Sequence, residues 1–308
     1  MSMPSVRLVS VVLALLTSLP AHAGLLSFCE PSPNKASENA PRAAMFSEYK
    51  DNYFITGVPR EGDQPRNFVR FQLSVKYNLV PTDSHCTLYF TYTQKSLWNL
   101  WSFKGSSPFE DSNYNPGFFF AWTNQDFGTY HVVPSAGLNL LYVHAGYEHE
   151  SNGRDGEASR GWDRISSTTR FGLYWPSGWH LLFQPRIWLP FVGDREPGGG
   201  GNPDLLDYYG YGSLTVELGQ DEARGAGAPT WRNFVLGATG RAGRNFDRGY
   251  SEIWARYRIP SDVVSWSVFA QFVTGYGETL LRYNQNVTAV RVGIALDDRL
   301  SWNAAALK

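Results

Sequence analysis

The sequence predicts an all-β fold, a transmembrane antiparallel β-barrel of about 12 strands, and three observations carry that prediction. The chain opens on an export signal. After it, no apolar run is long enough to cross a bilayer as a helix, which takes about 20 residues. The remainder is a succession of segments of about ten residues that alternate apolar with polar or glycine positions between turn-forming clusters. Composition agrees: 308 residues carry 11 Trp, 17 Tyr, 19 Phe and 30 Gly, a chain rich in strand-favouring aromatics and turn glycine. With 27 Lys and Arg against 28 Asp and Glu, no overall field recruits nucleic acid or a strongly acidic partner.

In chain order, residues 1–23 read as a signal peptide. Arg7 leads into the apolar run "LVSVVLALLTSLP", and "AHA" supplies a small-x-small cleavage site after Ala23. Residues 24–50 are expected to form a periplasmic N-terminal segment. Cys29 and Cys86 both survive cleavage in an oxidising compartment and can pair there, although spacing says nothing of geometry. No small residue precedes Cys29, so a lipid anchor is not expected.

The barrel is expected over residues 51–302, with strands near 51–58, 67–79, 86–97, 116–123, 137–149, 163–174, 178–189, 206–217, 231–241, 249–258, 265–275 and 287–297. The even count suits a single-chain bacterial barrel. Closure pairs every backbone N–H and C=O between strands, as lipid requires where no water is available. In "WHLLFQPRIWLP", Trp179, Leu181, Phe183, Pro185, Ile187 and Leu189 share one face while His180, Gln184 and Arg186 share the other. The last strand sets Val290, Val292, Ile294 and Leu296 against Ala289, Arg291, Gly293 and Ala295, and "SEIWARYRI" sets Ile253, Ala255 and Tyr257 against Glu252, Arg256 and Arg258. One face suits hydrocarbon and the other water. Gly193 to Asp204 and Gly219 to Thr230 read as loops. Barrels of this kind end on an aromatic residue, here Trp302, followed by an unusual tail over 303–308.

One hairpin departs from plain turn chemistry: "HESNGRDGEASRGWDRI", His149 to Ile165. Strand parity places Val143, Ala145, Tyr147, His149 and Ser151 on the lipid face, with Tyr142, His144, Gly146 and Glu148 opposite. Side chains at i and i+2 stand roughly 6 to 7 Å apart at Cβ, so an imidazole and a hydroxyl can meet by leaning. Asp163 has the outward parity of Ile165, Phe171 and Leu173 on the next strand. A hairpin pairing the two strands would put its carboxylate behind His149, the arrangement of a Ser-His-Asp relay. The bland alternative is a polar hairpin rim, since Ser-Asn-Gly is good turn chemistry and Asp often caps a loop.

The run "HESNGRDGEASRGWDR" resembles the active-site signature of the outer membrane phospholipase A family of calcium-dependent, dimerising barrels. Three further stretches agree in order, "YTQKSLW" (Tyr92 to Trp98), "SSPFEDSNYNP" (Ser106 to Pro116) and "GYGETLLRYNQN" (Gly275 to Asn286), so the likeness spans most of the chain from about Asp51. It implies Ser151 as nucleophile, His149 as general base, Asp163 as the group that orients His149, and the Gly153 N–H as oxyanion-hole donor. Asp163 stands where the best-known members have Asn, which keeps the orienting bond and adds a charge.

The resemblance also implies Ca2+, held by the Arg154 carbonyl and the Ser159 hydroxyl, with Ser106 contributed by a second subunit. The bound ion would polarise a water beside the oxyanion. A further acidic ligand of the family falls at Gly156 here, and Asp155 and Glu157, which flank it, are the candidates to substitute. Gln94 matches a residue that hydrogen-bonds across the dimer within the lipid-facing wall; residue pattern alone would put it in the lumen. The expected activity is hydrolysis of acyl ester bonds of phospholipids and lysophospholipids, of A1 and A2 type, at the bacterial outer membrane, by a homodimer that is inactive as a monomer. The competing readings are a non-enzymatic outer membrane porin or adhesin, and a soluble secreted β-protein.

Overall fold

The structure, a computed structural model, describes residues 46–60, 68–79, 86–102, 106, 108–123, 131–133, 137–192, 201–220, 233–259 and 266–296. The expected signal peptide, nearly all of the lead-in with Cys29, and the C-terminal stretch with Trp302 and the tail lie outside these residues. So does most of each expected loop.

The strands are β1 (Phe46–Glu48), β2 (Tyr53–Arg60), β3 (Phe68–Asn78), β4 (Cys86–Trp98), β5 (Phe109–Thr123), β6 (His131–Val133), β7 (Leu138–Ser151), β8 (Gly161–Tyr174), β9 (Trp179–Val192), β10 (Gly212–Gln220), β11 (Phe234–Ala242), β12 (Gly249–Ile259), β13 (Trp266–Gly275) and β14 (Val287–Leu296). Twelve of them close into one antiparallel barrel. Each barrel strand pairs with its neighbour in sequence, β5 pairs with β7 past the short β6, and β14 returns to β2. β1 continues the line of β2 along β3, pairing Glu48 with Val75 while β2 pairs Tyr53 with Gln72. Residues 49–52 therefore interrupt the first strand.

Alternation decides which way each side chain points, and the expected faces hold. On β14 Val290 is 58% exposed and Arg291 1%. On β9 Ile187 and Leu189 are exposed while His180, Leu182 and Trp188 are buried, and on β12 Arg256 is buried against an exposed Ile253. The fold is thus inverted relative to a water-soluble protein: apolar side chains coat the wall and polar ones fill the lumen, as a barrel bathed in lipid requires.

Two expected strands sit differently. β5 begins at Phe109, seven positions before the expected 116, because Asp111, Asn113 and Asn115 are buried toward the lumen, where polar groups are wanted. Their low strand propensity concealed this. Residues 206–209, expected to open a strand, lie instead in a short helix, α1 (Leu205–Tyr209), and the strand starts only at Gly212. Leu205, Tyr208 and Tyr209, spaced i, i+3 and i+4, pack on Trp162, Trp188, Leu280 and Tyr283, and that cluster favours the helix.

The same cluster plugs one end of the barrel. The segment 276–286 after β13 turns inward, with Leu280 fully buried and its N–H bonded to Asn113 Oδ1 at 3.1 Å. The Glu278 carboxylate reaches Arg70 at 3.0 Å and Arg291 at 2.6 Å. Paired in this way, the buried charges offset part of the cost of taking them out of water.

Candidate active site

The hairpin of β7 and β8 ends at the plugged end of the barrel. Its register places His149 directly opposite Asp163 and Ser151 opposite Gly161. Ser151 is in turn opposite Tyr114 on β5, Tyr114 opposite Gln94 on β4, and Gln94 opposite Leu73 on β3. This row crosses five strands on the outer face, where Leu73 and Ile165 stand exposed. Gln94 therefore lies on the lipid-facing wall, as the resemblance implied and the residue pattern did not. Its amide bridges Tyr92 and Ser96, accepting from the Tyr92 hydroxyl at 3.2 Å and donating to Ser96 Oγ at 3.1 Å.

His149 Nδ1 and Asp163 Oδ1 are 2.9 Å apart. An ionised carboxylate only accepts, so this bond puts the imidazole proton on Nδ1 and leaves Nε2 as the basic lone pair. The same Oδ1 accepts the Tyr147 hydroxyl at 2.5 Å, a partner that sequence reasoning missed although Tyr147 shares the parity of His149. A bulge between Asp163 and Arg164 in the β8–β9 pairing falls beside this carboxylate, a position where bulges often re-aim a side chain. At Gly161 a Cβ would stand 3.2 Å from Ser151 Cβ, so glycine there keeps room beside the hydroxyl.

From inside, buried charge braces the two strands. Glu148 Oε1 accepts Arg164 Nε at 2.8 Å and Ser166 Oγ at 2.7 Å, and Arg186 reaches it too. Arg164 also bonds Glu150 at 2.9 Å and lies 3.8 Å over the Trp162 ring. The outer residues of the hairpin thus stand on strands whose inner faces are locked.

The loop 152–160 is organised by Asn152, which is buried. Its N–H donates to the Arg160 carbonyl at 3.0 Å and its Nδ2 to the Ala158 carbonyl at 2.8 Å, while Oδ1 accepts the Arg160 N–H at 2.9 Å. Gly153 follows at φ +65°, a left-handed conformation that strains any residue with a Cβ; a Cβ there would also sit 3.1 Å from the Tyr114 ring. Arg154 ties the loop to β5 through the Glu110 carbonyl at 2.6 Å. Asn202 Oδ1 accepts the Gly161 N–H at 2.9 Å, so the end of the expected 193–204 loop packs against the hairpin.

Of the implied metal ligands, Asp155 is exposed, Ser159 is buried, and Ser106 is exposed in the β4–β5 connection at the same barrel end. Among the described residues no three His, Cys, Asp or Glu side chains cluster as a metal site. The donor set is one of carbonyl, hydroxyl and single carboxylate oxygens, the chemistry of a hard cation. It is too small to fill a calcium shell of six to eight oxygens from one chain.

Fold and site together define a membrane β-barrel that carries a hydroxyl, an imidazole and a carboxylate on its lipid-facing wall. The family model described as Phospholipase A1 matches residues 37–296. The chain is 33% identical over 232 residues to phospholipase A1 of Salmonella typhimurium, covering 75% of this chain and 70% of the relative, and 33% identical over 233 residues to that of Klebsiella pneumoniae, with the same coverage. Its fold is similar to that of outer membrane phospholipase A from Escherichia coli, with a TM-score of 0.68 and 28% identity over 85% of this chain and 95% of that one. It is also similar to the Salmonella typhi outer membrane phospholipase dimer with bound calcium, with a TM-score of 0.66 and 28% identity over 84% of this chain and 99% of that one. The chain belongs to the phospholipase A1 family and is an outer membrane phospholipase.

Proposed function

We propose that this phospholipase hydrolyses acyl ester bonds of phospholipids and lysophospholipids, at A1 and A2 positions, through an acyl-Ser151 intermediate. The observation that carries the reading is the His149–Asp163 bond of 2.9 Å on the outer wall, two residues from Ser151 on the same strand face. His149 Nε2 takes the Ser151 proton as Oγ attacks the ester carbonyl, and Asp163 stabilises the imidazolium that forms. The Gly153 N–H stabilises the oxyanion. Collapse expels the lysolipid alcohol, protonated by His149, and water then frees the fatty acid by the same steps in reverse. A lipid-facing site suits this chemistry, because the ester groups of a bilayer lie at headgroup depth beside the end of the strand.

Ca2+ fits the oxygen donors of the loop: the Arg154 carbonyl, the Ser159 hydroxyl and the Asp155 carboxylate would hold it, with Ser106 from a second copy. Bound there, the ion would supply positive charge near the developing oxyanion. A site that one chain leaves short of ligands makes a homodimer the active form and the monomer the resting one, with Gln94 at the dimer contact. The porin alternative needs a passage through the lumen, and the inward segment 276–286 with its Glu278 ion pairs argues against it.

The test is ester hydrolysis and chemical cross-linking of refolded protein in detergent micelles, parent beside Ser151→Ala, each with calcium and with chelator. Turnover and cross-linked dimer in the parent with calcium, no turnover in Ser151→Ala, and silence with chelator are expected. Equal activity in both proteins would remove Ser151 from the mechanism.

A further inference from the structure

The pairing of β5 with β7 has a gap beside the site. It runs Tyr114 with Ser151, resumes at Gly117 with Glu148, and omits Asn115 and Pro116 in between. The register on both sides puts residue 116 opposite His149. In an antiparallel ladder, alternate pairs exchange both their N–H and C=O groups. Proline brings no N–H. When the missing donor belongs to such an exchanging pair, both that pair and the next lose a bond, which is the two-residue gap observed. The carbonyl of His149 therefore lacks its ladder donor on the β5 side.

A side chain fills the place. Asn115, buried on the lumen side, donates Nδ2 to the His149 carbonyl at 2.7 Å. Its Oδ1 accepts from Lys50 Nζ at 3.2 Å. The Nζ–H donated by Lys50 occupies the oxygen end of the amide and leaves the nitrogen end toward His149. Lys50 comes from the four-residue break between β1 and β2, where its own N–H is held by Ser74 Oγ at 3.1 Å. The break in the first strand thus delivers a hydrogen-bond donor to the inner side of the catalytic strand.

We infer that Asn115, oriented by Lys50, is a positioning residue for His149: it replaces the main-chain bond that Pro116 cannot make and fixes the backbone from which the imidazole projects. The inference rests on the reading of His149 as general base. Its discriminating feature is that the bond has a main-chain equivalent, so restoring an N–H at 116 should make Asn115 dispensable.

The experiment measures kcat and KM of the full refolded chain on a micellar ester at saturating calcium, with Ser151→Ala in parallel. Asn115→Ala is expected to lower kcat about tenfold, the scale of a small misplacement of a reacting group, with KM within about twofold. Asn115→Asp, which keeps a partner for Lys50 but cannot donate, should lose as much, and it carries the test if Asn115→Ala does not fold. Adding Pro116→Ala to either variant should recover most of the lost kcat. Full kcat in Asn115→Ala or Asn115→Asp, or a loss that Pro116→Ala leaves uncorrected, overturns the proposal. Should Ser151→Ala be as active as the parent, the hydrolase reading itself fails. An inactive Ser151→Ala beside a fully active Asn115→Ala rejects only the strut.

Discussion

Asp163 is held by two donors at once, the imidazole at 2.9 Å and the Tyr147 hydroxyl at 2.5 Å, both on Oδ1. Its carboxylate is thereby fixed in one orientation, and the second donor draws off part of the charge that it presents to His149. Geometry then matters more than formal charge. Asp163→Asn can still accept through its carbonyl oxygen, and kcat is expected to stay within about tenfold of the parent, whereas Asp163→Ala removes the acceptor and should cost about a hundredfold or more. Steady-state rates on one ester substrate check both variants; equal loss in the two would mean that charge, not orientation, is what Asp163 supplies. Asn115 belongs to the same scale, acting on the backbone of His149 rather than on its ring.

The unit above the residue is the hairpin of β7 and β8 with its loop 152–160. Its strands are locked inside by Glu148, Arg164 and Ser166, and its loop is closed by Asn152, which bonds the main chain of Ala158 and Arg160. That closure sets where the Arg154 carbonyl, Ser159 and the Gly153 N–H lie. Asn152→Ala is therefore expected to weaken the loop as an oxygen cage: activity at limiting calcium should fall several-fold and return toward the parent value in excess calcium. A calcium titration of hydrolysis reads this directly, and an unchanged half-saturating concentration would separate Asn152 from metal binding.

At the scale of the molecule, the barrel presents hydrocarbon outward and charge inward, and the segment 276–286 closes one end through Glu278 between Arg70 and Arg291. Removing one partner of a buried ionic set leaves the others uncompensated. Glu278→Ala should thus destabilise the barrel by about 3–5 kcal/mol, seen as a lower urea midpoint for the loss of folded electrophoretic mobility, with Ser151 chemistry retained in the fraction that folds. A midpoint equal to the parent's would show that the plug contributes nothing to stability.

The sequence by itself, through an export signal, the lack of a helix-length apolar run and period-two alternation taken together, determined that this chain is a barrel, with the approximate position and facing of most of its strands, because in lipid the two faces of a strand must differ and parity records the difference. The stretch His149 to Ile165 likewise carried Ser151, His149 and Asp163, since two of them share a parity on one strand and the third comes after a short hairpin. Tertiary structure decided what depends on neighbours distant in sequence. The early start of β5 and the helix α1 arise from the polar lumen and an aromatic cluster that local propensity does not contain. Gln94 read as a lumen residue because an amide on a lipid face makes no sense until its bonds to Tyr92 and Ser96 are in view. Asn115 and Lys50 gave no signal at all, because the vacancy they fill, a main-chain bond lost at Pro116, exists only once β5 is laid against β7 in register.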